Sequence, residues 1–280
     1  MGRSIKENIA IIGCGYVGSA VARVWTQAGH SIAATTTTPT KVAKLEKIVQ
    51  KVVVTKADNL DRLLDVIKDR DTVLLSVGAP NRSAYRESYL ETAKNLAIAL
   101  KQTPRVKQLI YTGSYGVCGN RSGEWVDEES SITPPNEHGE ILHQTEQVLL
   151  SANSSDLKVC ILRLAGIYGP GRRQLIKIFG SWAGTNRPGN GEAYINWVHL
   201  DDIVSAIEFV RQKKLQGMYN LSSDMPLKRQ EFYDRLFQHH GQPSVTWDPS
   251  TLSKLSYGLR LSNQKIKAAG FKLIHPEILF

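Results

Sequence analysis

The chain has 280 residues, enough for one large α/β domain or for such a domain with a smaller lobe. With 41% hydrophobic and 22% charged residues it reads as globular; no apolar run approaches the ~18 residues that span a bilayer, and the polar Met1–Glu7 stretch lacks the apolar core of a signal peptide. The net charge of +9 is scattered in short pairs such as Arg172-Arg173, Lys213-Lys214 and Lys228-Arg229, which disfavours a nucleic-acid partner and suits a basic surface that attracts phosphorylated small molecules.

In chain order, Ile9–Ile12, Ser31–Ala34, Val52–Val54, Thr72–Ser76, Gln108–Thr112 and Val159–Leu164 are apolar runs of strand length. Helix-length stretches lie between them, for example Val17 to Ala28, with apolar residues three and four apart. Short apolar strands alternating with helices imply an α/β fold with a doubly wound parallel sheet, covered on both faces. The rhythm changes after Leu164. Residues 166–196 hold seven glycines and two prolines and are expected to be irregular. Helices are expected near 201–211, 229–240 and 263–269, with a strand near 218–221. The expected organisation is a Rossmann domain over 1–165, rejoined by about 197–221, and a smaller α+β lobe built from 166–196 and 222–280. The three cysteines, Cys14, Cys118 and Cys160, are too few and too far apart for a disulfide framework or a zinc site, and imply reduced thiols in a cytoplasmic setting.

Gly13-Cys14-Gly15-Tyr16-Val17-Gly18 is a G-x-G-x-x-G turn lying between an expected strand and an amphipathic helix that ends at Gly29. In such a turn the first glycine permits the bend, the second lets the backbone approach a pyrophosphate, and the third lets helix pack on strand. NAD-specific sites place a carboxylate at the end of the second strand. Here no acidic residue occurs between Glu7 and Glu46; Thr35-Thr36-Thr37-Thr38, Lys41 and Lys44 stand there instead. Hydroxyls and ammonium groups suit a 2′-phosphate, so NADP is favoured and NAD is the alternative. Asp58 is either an acceptor for the adenine amino group or a loop or capping residue.

The chain resembles the extended short-chain dehydrogenase/reductase superfamily, of NAD-dependent epimerase/dehydratase type, through nearly its whole length. Beyond the glycine turn, the resemblance rests on Tyr111-Thr-Gly-Ser114-Tyr-Gly-Val-Cys-Gly119, on Leu162-Arg-Leu-Ala-Gly-Ile-Tyr-Gly-Pro-Gly-Arg172, and on Asn196-Trp-Val-His-Leu-Asp-Asp202. It implies a Rossmann core with a small substrate lobe, a small-molecule substrate, a Ser–Tyr–Lys catalytic set and, by analogy, a homodimer. The expected cofactor contacts are Gly13, Gly15, Tyr16, Val17, Gly18, Thr35, Thr36, Thr37, Lys41, Asp58, Val77, Gly78, Ala79, Ala165 and Gly166; Tyr168 and Arg172 are expected at the substrate.

The sequence departs from the family at the catalytic pair, since none of its ten tyrosines is followed four residues later by lysine. The family has a glutamate four residues after that lysine. Aligned on Glu146, the lysine falls at Leu142 and the tyrosine at His138, as in an atypical subgroup that lacks the pair. Imidazole, with an ordinary pKa of ~6.5, needs no neighbouring cation to work near neutrality, whereas a phenol at ~10 does. His138 with Ser114 is therefore the candidate acid/base set, with Tyr115 and Tyr168 in reserve; the competing reading makes His138 an exposed helix start after Pro134-Pro135. Cys118 reads as a small core residue. His199, Asp201 and Asp202 read as a helix start, and no metal is expected. Two functions stand open: an NADP(H)-dependent oxidoreductase, epimerase or dehydratase with non-standard acid/base residues, or a dinucleotide-binding sensor or scaffold without chemistry.

Overall fold

The computed structural model describes residues 6–56, 59–251 and 258–280. Seven strands form one sheet: β1 (Asn8–Ile12), β2 (Ser31–Thr36), β3 (Lys51–Val54), β4 (Thr72–Leu75), β5 (Gln108–Ser114), β6 (Lys158–Leu164) and β7 (Gly217–Leu221). Their order is β7-β6-β5-β4-β1-β2-β3. β1 runs parallel to β2, with Ile9 opposite Ile32, and parallel to β4, with Ile9 opposite Thr72. The β2–β3 and β4–β5 pairs are parallel too.

The central strands read as continuous apolar runs because both faces are covered: Ile9 to Ile12 and Val73 to Leu75 have no exposed surface. Six helices of eight residues or more are described: α1 (Tyr16–Gln27), α2 (Leu60–Ile67), α3 (Thr92–Lys101), α4 (Glu137–Leu150), α5 (Leu200–Lys213) and α6 (Arg229–His239). α1 buries Val17, Val21 and Trp25, four residues apart along one stripe, and stops where Gly29 takes a left-handed φ of 87°. Asn59 caps α2 by accepting from the Arg62 amide at 3.0 Å, and Asn136 caps α4 by accepting from the Gly139 amide at 3.1 Å. A single π-helical turn, Glu87–Glu91, leads into α3.

After β1 the chain builds outward through β2 and β3, then returns to lay β4 on the other side of β1. Open α/β sheets bind ligands at the carboxyl ends of their strands where the order reverses, here beside the ends of β1 and β4.

The chain divides into two compact units. One comprises Met1–Ser114, Asn136–Arg163 and Val204–Met218; the other comprises Tyr115–Pro135, Leu164–Ile203 and Tyr219–Phe280. The stretch 166–196, expected to be irregular, is broken into very short elements. Gly166–Tyr168 pairs in parallel with Trp197–His199, Asn186–Pro188 with Thr246–Asp248, and Tyr194–Ile195 antiparallel with Leu227–Lys228. Strands of two or three residues carry no readable period, so the glycines dominated the sequence pattern. The second unit's core is aromatic, with Trp197 stacked on Phe232 at 5.7 Å and Phe179 edge-on to both.

Candidate functional site

The glycine turn forms where β1 hands over to α1, and each glycine has a separate physical reason. Gly13 holds a φ of 89°, and a Cβ there would lie 2.6 Å from the Ser76 carbonyl oxygen. A Cβ on Gly18 would meet the Gly13 carbonyl oxygen at 2.5 Å. At Gly15, by contrast, a Cβ would meet nothing within 4 Å. Gly15 lines a cavity of about 280 Å³ together with Gly13 and Cys14, and with Ser76, Val77 and Gly78 just beyond β4. No side chain caps the start of α1 at Gly15, and its first turn holds no acidic residue. The turn therefore presents helix-start amides and the positive end of the helix dipole to an anion. These residues fit a dinucleotide pyrophosphate.

Of the expected cofactor residues, Gly13, Gly15, Thr35, Thr36, Thr37, Lys41, Val77 and Gly78 line the cavity. Tyr16, Val17, Gly18 and Ala79 do not contribute to its wall; Val17 and Gly18 are buried on the sheet side of α1. Thr35 is tied into the turn, its hydroxyl accepting from the Gly13 amide at 2.9 Å and its carbonyl from the Cys14 amide at 2.8 Å. Thr36 accepts from the Thr38 amide at 3.2 Å. Lys41 and Thr37 are exposed at the cavity edge. Asp58 lies outside the described residues. Lys56 and Glu87 also line the cavity and pair with each other at 2.7 Å; sequence reasoning missed both, because 31 residues separate them and only the fold brings β3's end beside the π turn. Burial pushes the Cys14 thiol up to about 11, against the pull of Arg23 and Lys41, so it stays protonated and is no nucleophile. All three cysteines are buried and unpaired with one another.

Ser114 is the half-buried last residue of β5. His138 is the second residue of α4. Its ring is half-buried against Tyr85, with centroids 4.4 Å apart, and Tyr85 in turn contacts Tyr89 at 4.9 Å. Burial raises the Tyr89 phenol, with Tyr85 adding to the effect and a hydrogen bond from the Ala79 amide opposing it. His138 is thus neither the fully exposed helix start of one reading nor isolated. The spacing of four puts His138, Leu142 and Glu146 on one face of α4. Leu142, aligned with the family's lysine, is buried. Glu146 is fully buried and forms a bidentate pair with Arg163 of β6, at 2.9 and 2.8 Å.

Tyr115, Ala165, Gly166 and Tyr168 belong to the second unit, and none of them lines the cavity of the first. Tyr115 opens a single turn, Tyr115–Cys118, in which Cys118 is fully buried. Gly166 is required by packing, since a Cβ there would lie 2.7 Å from the Trp197 ring. Ala165 is buried and donates its amide to the Leu221 carbonyl. Tyr168, expected at the substrate, is 3% exposed. Its hydroxyl accepts from the Leu279 amide at 3.0 Å, its ring sits edge-on to Trp197 and His199, and burial raises its phenol. These contacts pack it within the second unit. For Arg172 only the backbone, in the turn Gly171–Arg173, is described. His199 and Asp201 lie as the sequence suggested at the start of α5, but they are joined there by His275, 74 residues further along.

A family model described as the NAD dependent epimerase/dehydratase family matches residues 9–222. Among curated proteins, the chain is similar to protein YeeZ of Escherichia coli (strain K12), 28% identical over 285 residues that cover 98% of each chain. Among solved structures, it is similar to dTDP-glucose 4,6-dehydratase of Bacillus anthracis str. Ames in complex with NAD. That match has a TM-score of 0.81 and 18% identity, over 96% of this chain and 92% of the other. It is also similar to UDP-glucose 4-epimerase of Thermotoga maritima with UDP-glucose, with a TM-score of 0.79 and 18% identity, over 95% and 94%. At such identities the structural likeness speaks for the fold. Among the described residues no helix is long and apolar enough to cross a membrane.

Proposed function

The chain belongs to the NAD dependent epimerase/dehydratase family, and we propose that it is an NADP(H)-dependent oxidoreductase, epimerase or dehydratase that moves protons with His138 instead of a tyrosine–lysine pair. The observation that carries this reading is the cavity at the start of α1, whose wall includes the glycine turn, Thr36 and Thr37 at the end of β2 and Lys41 in the turn that follows, while the carboxylate of Glu87 on the same wall is paired with Lys56. When bound, the dinucleotide supplies hydride exchange with a substrate carbon. The chain's own residues do the rest. The amides and dipole of the first turn of α1 orient the pyrophosphate, and the open space over Gly15 lets it approach the backbone. Thr36, Thr37 and Lys41 hold a 2′-phosphate by hydroxyl donation and charge; Lys56, already committed to Glu87, contributes less.

Ser114 donates to the substrate oxygen from the end of β5, and His138 takes or returns the proton at that oxygen. Tyr85, packed on the imidazole, holds the ring's orientation. Leu142 in the lysine's place supports the histidine assignment, because an imidazole works near neutrality without the cation a phenol requires. The substrate is a small molecule with a hydroxyl or carbonyl. The solved relatives are named for nucleotide-sugar substrates, which makes that class the first to screen.

The test is fluorescence titration with NADPH and NADH, followed by turnover assays on nucleotide sugars and simple carbonyls. NADPH is expected to bind the tighter, and His138→Ala to lower kcat by about 10²- to 10⁴-fold, the range of a lost general acid/base. Tighter NADH binding overturns the 2′-phosphate assignment. Unchanged turnover in His138→Ala overturns the proton-transfer assignment, and coenzyme binding with no turnover on any substrate favours the sensor reading.

A further inference from the structure

The second unit brings together two imidazoles and a carboxylate that the sequence disperses. His199 ends the short strand Trp197–His199, Asp201 sits in the first turn of α5, and His275 lies in the C-terminal segment. Asp201 Oδ2 is 3.4 Å from His199 Nδ1 and 3.3 Å from His275 Nε2. The two rings are 4.3 Å apart and inclined at 70°. One ligand atom from each of the three residues lies within 4.8 Å of the other two.

We propose that His199, Asp201 and His275 form a binding site for one divalent transition-metal cation, with zinc the favoured ion and water completing the coordination. Tetrahedral zinc with bonds of about 2.0–2.1 Å places neighbouring ligand atoms about 3.3–3.4 Å apart. Two of the three edges here already have that length. The third closes by rotation of the Asp201 and His275 side chains, which are 56% and 21% exposed, while His199 at 10% is the fixed corner. Nitrogen and oxygen donors in a two-to-one ratio suit zinc and its neighbours over magnesium or calcium, which prefer all-oxygen shells.

The surroundings hold the donors in place. His199 Nδ1 accepts from the Asp201 amide at 3.2 Å, so that nitrogen carries its lone pair and not the proton; a bound cation takes over from this weak contact. Fully buried Asp202 accepts from the Ile274 amide at 2.6 Å and from the His275 amide at 3.3 Å, which fixes the backbone that carries the third ligand. Its carboxylate also adds negative charge beside the cation. Tyr168 walls the site, edge-on to His199 at 5.0 Å. The exposed side of Asp201 gives the ion an entry path. Filled, the site clamps the C-terminal segment to the start of α5. It shares no residue with the cavity around Gly15, so it stands or falls independently of the proposed function.

The test uses tag-free, chelator-stripped protein without dinucleotide, titrated with Zn²⁺ by calorimetry and with Co²⁺ by visible absorption. One Zn²⁺ per chain is expected, with a Tm rise on the order of 5 °C at saturating metal and Co²⁺ bands of four- or five-coordinate intensity. His275→Gln and Asp201→Asn should each weaken binding by about 100-fold or more, and Asp202→Asn by about 10-fold as an outer partner. The metal-free Tm of His275→Gln reports whether that variant still folds. Absence of zinc binding at millimolar metal overturns the proposal. So does binding that survives both ligand variants, or a Co²⁺–thiolate charge-transfer band, which places the ion on the cysteines.

Discussion

Glu146 and Arg163 meet as a bidentate pair with no solvent on either side chain, at 1% and 0% exposure. Their mutual attraction offsets the cost of removing both charges from water, and neither is tolerated alone. Glu146→Gln or Arg163→Met should each destabilise the protein by about 3–5 kcal/mol, read by chemical denaturation, because each strands the partner's charge or hydrogen-bonding groups. The double variant Glu146→Leu/Arg163→Met should recover most of that loss; if it does not, the pair is not self-compensating. The sequence marked Glu146 only as a spacing anchor for the missing lysine. Its partner 17 residues away, on the next strand, was not legible, because nothing local distinguishes a buried arginine inside Val159–Leu164 from a strand-edge residue. The glycines were legible individually, since a turn between strand and helix has few uses for three of them. Lys56, Glu87 and Tyr85 were not, because their approach depends on how the segments after two different strands, β3 and β4, converge.

At the scale of elements, β1 and β2 show how a short loop can set pH dependence. His30 precedes β2 and is 1% exposed. Its Nδ1 accepts from the Glu7 amide at 3.0 Å, while its Nε2 is buried and has no hydrogen-bond partner among the described residues. Burial lowers its pKa below 6.5, and the positive charge of Arg211 lowers it further, so the folded protein holds it neutral. A histidine whose folded pKa is depressed binds more protons when unfolded. Stability is therefore lost as pH falls below about 6.5, at up to ~1.4 kcal/mol per pH unit, until the folded pKa is reached. Unfolding between pH 7.5 and 5 should show this slope, and His30→Asn should flatten it. An unchanged slope would assign the acid sensitivity to other groups. Six of the seven sheet strands were readable as apolar runs and the seventh as a strand near 218–221, and right-handed crossovers left few ways to order them. The two- and three-residue ladders of 166–196 were not, since pairing so short is imposed by the aromatic core around Phe232 and not by local pattern.

For the molecule as a whole, the proposed chemistry rests on the first unit holding a dinucleotide at the glycine turn, where the sheet reverses. The family match and the sheet order agree on that architecture. The three glycines offer a way to separate folding from binding. Gly13→Ala and Gly18→Ala press a methyl group against backbone at 2.6 and 2.5 Å, so they should unfold the turn along with the site. Gly15→Ala places its methyl in open space that the pyrophosphate is to occupy. The direct measurement is NADPH affinity beside Tm for wild type and Gly15→Ala. The variant should keep a Tm within about 2 °C of wild type and bind NADPH more weakly by about tenfold or more, a loss of ~1.4 kcal/mol. Wild-type protein that binds no dinucleotide, or a Gly15→Ala variant that binds it as well as wild type, would contradict the pyrophosphate assignment.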